Sequence, residues 1–211
     1  METVCLANDI GAVISQWLHP DAGVVAQVSS SRLAISPFER QLVTDAVPQR
    51  QAEFATGRWC AHRALERIGV PTDVILRDRH GGPIWPAGVH GTIAHESGVC
   101  VAAVARAALV RHLGIDLVDT RREVDFAKIG DLFITPEDEI SGTEEGARLA
   151  FCVKEAVVKA VSARLNRFLD MREIKISLQE NRFQASLSAI PEKLFGHWSY
   201  VGPFAVACTA E

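Results

Sequence analysis

An α/β (α+β) fold built as two similar lobes is what this sequence predicts, and three observations predict it. Helical apolar stripes occur twice, over about 51–69 and about 147–162. Strand-like alternation fills much of the chain between and after them. GVCVAAVA at Gly98 to Ala105 is echoed by GPFAVACTA at Gly202 to Ala210, each copy ending its half of the chain; read as a repeat, the lobes would meet near residue 108, as 1–108 and 109–211, and chance likeness between two apolar strands is the alternative reading.

Up to about Gln49 the signals are weak: an apolar start, the turn-forming His19-Pro20-Asp21, a serine run at Ser29 to Ser31, and Ser36-Pro37 before a short helical stretch. From Gln51 to Gly69 the residues Phe54, Ala61, Leu65 and Ile68 keep helical spacing, and Gly69-Val70-Pro71 supplies the stop. Arg58 falls on that same stripe. RHGGPIWPAGVH, Arg79 to His90, reads as a loop, because its prolines remove backbone donors and its glycines leave the backbone permissive. Strands are predicted at Gly91 to His95, Val99 to Ala105 and Leu113 to Leu117; in the last, Gly114, Asp116 and Val118 share one face.

Glu137 to Glu145 reads as an acidic surface stretch leading into the helix of about Ala147 to Ser162, with Leu149, Val153, Ala156, Val157 and Ala160 as its core face. Ile174, Ile176 and Leu178, then Phe183, Ala185 and Leu187, alternate across the turn Glu180-Asn181 like a hairpin. A strand near Phe204 to Thr209 closes the chain.

Composition narrows the function classes. At 211 residues and 48% apolar the chain can build a real core, and its net charge of -4 argues against a general nucleic-acid or membrane-surface binder. Five dispersed cysteines without a CxxC pair indicate neither a disulfide framework nor a zinc knuckle. No basic region precedes the apolar start, and the apolar run from Val99 breaks at Arg106, so the reading is a soluble cytoplasmic protein.

The chemistry-bearing residues are individually ambiguous. In FCVKEAVVKA, Phe151 to Ala160, Glu155 and Lys159 lie four apart on one helix face with Lys154 beside them, an arrangement that suits a phosphate or metal. The same spacing describes an ordinary surface pair contributing about 0.2–0.5 kcal/mol. Arg58 is a cation on an apolar stripe: it meets an anion such as Glu53, snorkels to water, or, with Arg50 two turns earlier, meets a phosphate-bearing ligand. His95 in GTIAHES ends a strand, and His80, His90 and His95 lack a compact zinc spacing.

The ordered set is more specific than its parts. EFATGRWCAHRAL at Glu53 to Leu65, GGPIWPAGVHGTIAH at Gly81 to His95, GIDL at Gly114 to Leu117 and FCVKEAVVKA resemble, in order, the surfactin-type 4'-phosphopantetheinyl transferases, in their enterobactin-synthetase-like bacterial subgroup. The resemblance implies a monomeric pseudo-dimer of two lobes, each a small mainly antiparallel sheet packed on helices, with the ligand cleft between them. It implies transfer of 4'-phosphopantetheine from coenzyme A to a serine of an apo acyl or peptidyl carrier protein. Magnesium, or manganese in its place, would assist, and adenosine 3',5'-bisphosphate would be released.

Carried over residue by residue, the resemblance places Arg50, Arg58, His80 and His95 at coenzyme A phosphates, Gly82 and Pro83 beside the adenine, and Ala94 in the same binding set. Asp116 and Glu155 would ligate magnesium, Lys154 and Lys159 would meet phosphates, and Asp116, Glu155 and Lys159 would form the catalytic set. Two positions depart from the family pattern. Val118 stands where a second acid usually follows the aspartate, leaving water or Asp119 to complete the metal site; Asp119 would serve only if a bulge re-aims it. His80 stands where lysine is common, a weaker and pH-dependent phosphate partner. The rival reading that Val118 supports is a coenzyme A-binding relative without transfer activity.

Overall fold

The computed structural model describes residues 2–211, and its chain divides into two compact units between Leu113 and Gly114. The first contains α1 (Glu2–Trp17), β1 (Gly23–Val28), α2 (Pro37–Gln41), α3 (Pro48–Arg67), β2 (Val89–Glu96) and β3 (Val99–Arg106). The second is built from β4 (Leu113–Asp119), α4 (Phe126–Ile129), α5 (Glu144–Leu165), β5 (Lys175–Gln179), β6 (Arg182–Leu187), β7 (Ile190–Val201) and β8 (Phe204–Ala210).

In the first unit the sheet runs β1-β3-β2 with both neighbouring pairs antiparallel. Alternation along the strands sends Val25, Cys100, Ala102 and Val104 into one cluster with Cys60, Ala61 and Ala64 of α3. The opposite side of β1 meets α1, where Gly11 lies against Ala26. Two covered faces explain why β3 is apolar at nearly every position. Gly23 lets α3 approach β1, since a Cβ there would sit 2.2 Å from the Ala64 carbonyl oxygen. Ser97 and Gly98 both take positive φ and close the β2-β3 hairpin.

Before β2 the chain makes a small clamp. Arg77 bridges Pro83, Ile84 N donates to the Leu76 carbonyl, and Asp78 Oδ1 accepts from the backbone N–H of His80 and Gly82. Trp85 then lies over Gly91, where a Cβ would come within 2.5 Å of the indole. The Gly/Pro-rich segment is thus irregular but pinned at both ends, with its last residues already in β2.

The second unit carries a five-stranded sheet in the order β4-β8-β7-β6-β5, with α5 packed on β8. Its core joins Ala150, Val153, Ala156 and Val157 of α5 to Ala205, Ala207, Phe183 and Leu194. Thr143 caps α5 by accepting from Gly146 N, and Asn166 ends it in the left-handed conformation. The echoed segments become β3 and β8, each an internal strand of its sheet.

Three features differ from the sequence reading. α1 and β1 occupy the region of weak signals, and the 12-residue β7 had no counterpart, because Pro191 and Gly196 read as breakers. Gly196 is instead required by crowding, its Cβ position lying 2.2 Å from the Phe183 ring. The acidic stretch is not wholly a surface: Glu139 pairs with the β5 edge at Ser177, and the Asp138 side chain is fully buried.

Candidate functional site

In the first unit, α3, the Arg77–Pro83 clamp and β2 enclose a cavity of about 120 Å³ lined by Arg50, Glu53, Arg58, Arg77, Pro83 and His95. Helical spacing places Arg50, Glu53 and Phe54 with Arg58 at successive turns, and Gly57 admits Ile93 of β2 at 3.0 Å from where a Cβ would stand. His95 lies on the face of β2 that meets α3. There its Nε2 contacts Arg50 Nη1, and its Nδ1 lies 3.6 Å from Glu53 Oε2.

The cavity is electropositive. Arg58 is 4% exposed, stacks its guanidinium 4.7 Å from the Phe54 ring centre, and leaves its Nε buried without a hydrogen-bond partner. Burial pulls its ionisation down to about 10, with the Glu39 charge opposing and Arg77 adding to the fall. The acid that pairs with Arg50, at 3.6 Å, is Glu53. A buried guanidinium atom without a partner, at a cavity lined by two further arginines, is chemistry that suits an anion.

Of the other residues assigned to this region, Pro83 lines the cavity and Gly82 is held by the Asp78 carboxylate. Exposed His80 accepts from Arg79 Nε at 2.9 Å. Ala94 is 1% exposed, its methyl turned away from the cavity face. Arg77 escaped the sequence reading, which began the loop at Arg79. The signal lay in RDRHGGP: an arginine six residues before a proline across an Asp-turn is placed to bridge back.

In the second unit, Gly114 brings α5 onto β4, for a Cβ there would fall 1.9 Å from the Ala156 carbonyl oxygen and 2.7 Å from Ala160 N. Asp116 shares that strand face, and Lys159 Nζ donates to Asp116 Oδ1 at 2.6 Å. Glu155, one turn earlier on α5, is close enough to feel both charges. Burial, then the Asp116 charge, push its carboxyl upward against the pull of Lys159. Burial likewise raises Asp116, with Lys159 partly offsetting it. Two carboxylates close together with a single ammonium retain negative charge and hard oxygen donors, the chemistry that suits magnesium. Among the described residues no group of three or more His, Cys, Asp or Glu side chains is placed to hold a metal ion, so this donor set fits one only with further oxygens from water or phosphate.

Lys154, read together with Lys159 as meeting phosphates, is not brought to this cluster. Its side chain is 0% exposed, with Nζ donating to Asp138 Oδ2 at 2.6 Å and to the Phe133 carbonyl at 2.7 Å. Asp138 also accepts from Thr135 N and Ile176 N, so the pair ties α5 to the edge of the sheet. Val118 is buried in the apolar core, and Asp119 receives a two-pronged hydrogen bond from Arg121 at 3.0 and 2.8 Å.

The family model described as the 4'-phosphopantetheinyl transferase N-terminal domain matches residues 38–105, and that of the 4'-phosphopantetheinyl transferase superfamily matches residues 112–209. The chain is similar to 4'-phosphopantetheinyl transferase Npt of Nocardia iowensis, at 34% identity over 70% of this chain and 68% of that one. It is 41% identical to 4'-phosphopantetheinyl transferase Svp of Streptomyces mobaraensis over 51% of this chain and 44% of Svp. Against 4'-phosphopantetheinyl transferase PptT of Mycobacterium tuberculosis it is 34% identical over 68% of this chain and 65% of PptT. Among the described residues no helix is long and apolar enough to cross a membrane.

Proposed function

The chain belongs to the 4'-phosphopantetheinyl transferase superfamily, and from that premise we propose that it transfers the 4'-phosphopantetheine group of coenzyme A to a serine hydroxyl of an apo acyl or peptidyl carrier protein. The observation that carries this reading is the Asp116–Lys159 contact at 2.6 Å beside half-buried Glu155, a carboxylate pair and an ammonium drawn from GIDL and FCVKEAVVKA. The arginine-lined cavity of the first unit supports coenzyme A as the donor, because it offers several cations to a phosphate-rich ligand.

In this reaction the serine oxygen forms a bond to the phosphorus bearing pantetheine. The bond from that phosphorus to the bridging oxygen breaks, and adenosine 3',5'-bisphosphate leaves with the electron pair. Glu155 accepts the serine proton, a role that suits a carboxyl whose proton affinity is raised by burial and by Asp116. Lys159, which is 28% exposed, offers an ammonium to the phosphate oxygens while orienting Asp116. Asp116 and Glu155 would hold magnesium, which when bound supplies positive charge to the diphosphate.

The experiment is Glu155→Gln, read as transfer and as coenzyme A binding separately. Transfer is abolished while binding remains measurable; undiminished turnover removes Glu155 from the mechanism. A second reading, a coenzyme A-binding relative without transfer, is favoured by Val118, whose burial in the core leaves two carboxylates where the family pattern has three.

A further inference from the structure

A second cavity of the first unit lies at the C-terminal end of α3, and none of its lining residues falls within the four sequence motifs. Arg67, in its wall, is nine residues beyond Arg58 on α3, about 13.5 Å along the helix axis. The cavity has a volume of about 450 Å³ and opens where the end of α3, the end of β3 and the turn before β1 come together. Its wall combines two cations, Arg67 and Arg106, with one acid, Asp21, and an apolar part that includes Pro20, Ile68 and Leu109.

Both arginines are tethered without being neutralised. Arg67 Nη1 donates to the Val24 carbonyl near the start of β1, and Arg106 Nη2 donates at 2.9 Å to the carbonyl of Ile68, the C-cap of α3. Each tether fixes a guanidinium head while engaging one of its five N–H donors. Among the described residues neither arginine forms an ion pair. Asp21 instead meets His19 at 3.8 Å, inside the turn that Ala22 N closes on the His19 carbonyl at 2.8 Å. The negative end of the α3 dipole would oppose an anion here, but Arg106 already occupies one of the carbonyls that carry that field.

We infer that this cavity binds the carboxylate of a small organic acid with an apolar body, Arg67 and Arg106 taking the carboxylate oxygens while Pro20, Ile68 and Leu109 cover the body. Two cations against one acid leave a single positive charge. That balance matches a carboxylate monoanion better than a phosphate monoester, which brings about 1.5 to 2 negative charges at neutral pH. Guanidinium forks pair with carboxylates through two parallel hydrogen bonds, and the volume falls in the range of small-molecule sites, about 300–1,000 Å³. Because the site is separate from the transfer chemistry, it stands or falls independently of the proposed function.

The test is titration of the full ¹⁵N-labelled chain with octanoate, acetate and inorganic phosphate, followed by amide chemical shifts in the wild type, Arg106→Gln and Leu109→Asp. Octanoate should bind at least about 10-fold more tightly than acetate, since its longer chain meets the apolar wall. Its shifts should centre on residues 20–22, 67–69 and 106–109. Loss of a charge-assisted donor in Arg106→Gln should weaken octanoate by about 10-fold or more. Leu109→Asp touches neither tether and should weaken it by about 3-fold or more through like-charge repulsion, so it carries the test if Arg106→Gln fails to fold. Excess coenzyme A should leave octanoate binding unchanged. Octanoate that fails to bind or binds no tighter than acetate, phosphate that binds more tightly than octanoate, or unchanged affinity in both variants overturns the proposal. Displacement of octanoate by coenzyme A also overturns it, because the acid would then lie in the cavity lined by Arg50 and Arg58.

Discussion

Lys159 donates to Asp116 across the junction of α5 and β4 at 2.6 Å, and the residue that permits the contact is neither of them but Gly114. The strand face Gly114-Asp116 meets the helix face Ala156-Lys159-Ala160, so the closeness of backbone to backbone sets where the charged pair lies. Gly114→Ala should therefore cost stability and geometry together. The added methyl, 1.9 Å from a carbonyl oxygen, forces α5 outward at about 1–3 kcal/mol, read as a fall in the urea midpoint with unchanged slope. An unshifted midpoint would mean that α5 does not sit on β4 this closely.

Metal addition distinguishes a cation site from an ordinary ion pair. Magnesium should raise the thermal midpoint of the wild-type chain, and Asp116→Asn with Glu155→Gln should remove the response, since only the folded state offers both carboxylates. In Lys159→Met, where the two acids lose their ammonium, the magnesium-dependent gain should exceed that of the wild type. Equal responses in all three proteins would show that the metal binds elsewhere.

The Lys154–Asp138 pair predicts a structural phenotype. Lys154→Ala leaves a buried carboxylate without its cation and should destabilise the second unit by about 3–5 kcal/mol in chemical denaturation. Lys154→Met with Asp138→Leu should recover much of that loss. A Lys154→Ala protein of wild-type stability but weakened coenzyme A binding would return Lys154 to the phosphates.

Glu39 predicts an acid limb. Its side chain is 0% exposed; burial alone would raise its carboxyl, but the His62 hydrogen bond at 2.8 Å, the N–H of Ile75, the His62 charge and the N–H of Ser36 outweigh that and hold it below the ordinary glutamate value. A depressed carboxylate contributes its full stability above the unfolded-chain value and loses it as pH falls through the folded one. Glu39→Gln should thus cost about 1–3 kcal/mol at neutral pH and flatten the stability profile in the acid range. A parallel profile would assign the acid limb to other groups.

Much of the site was legible because side-chain period and backbone chemistry agree. The i, i+4 spacing put Glu155 and Lys159 on one face, strand alternation put Asp116 with Gly114, and Arg50, Arg58 and His95 converge on one cavity. What was not legible depends on contacts between distant segments. Lys154 has the sequence context of its neighbours, yet a one-residue step on a helix turns it toward Asp138, 16 residues earlier. Arg77 became visible only when the chain folded back at Asp78. β7 was hidden by Pro191 and Gly196, whose effects on a strand depend on what lies beside it.

The most direct test of the proposed transfer is to incubate the chain with coenzyme A, magnesium and several apo-carrier proteins and to weigh each carrier by intact-mass spectrometry. The account predicts a single phosphopantetheine increment on at least one carrier, lost in its serine-to-alanine form and in Glu155→Gln. Coenzyme A binding with no increment on any carrier would contradict it and leave the chain a binder without transfer.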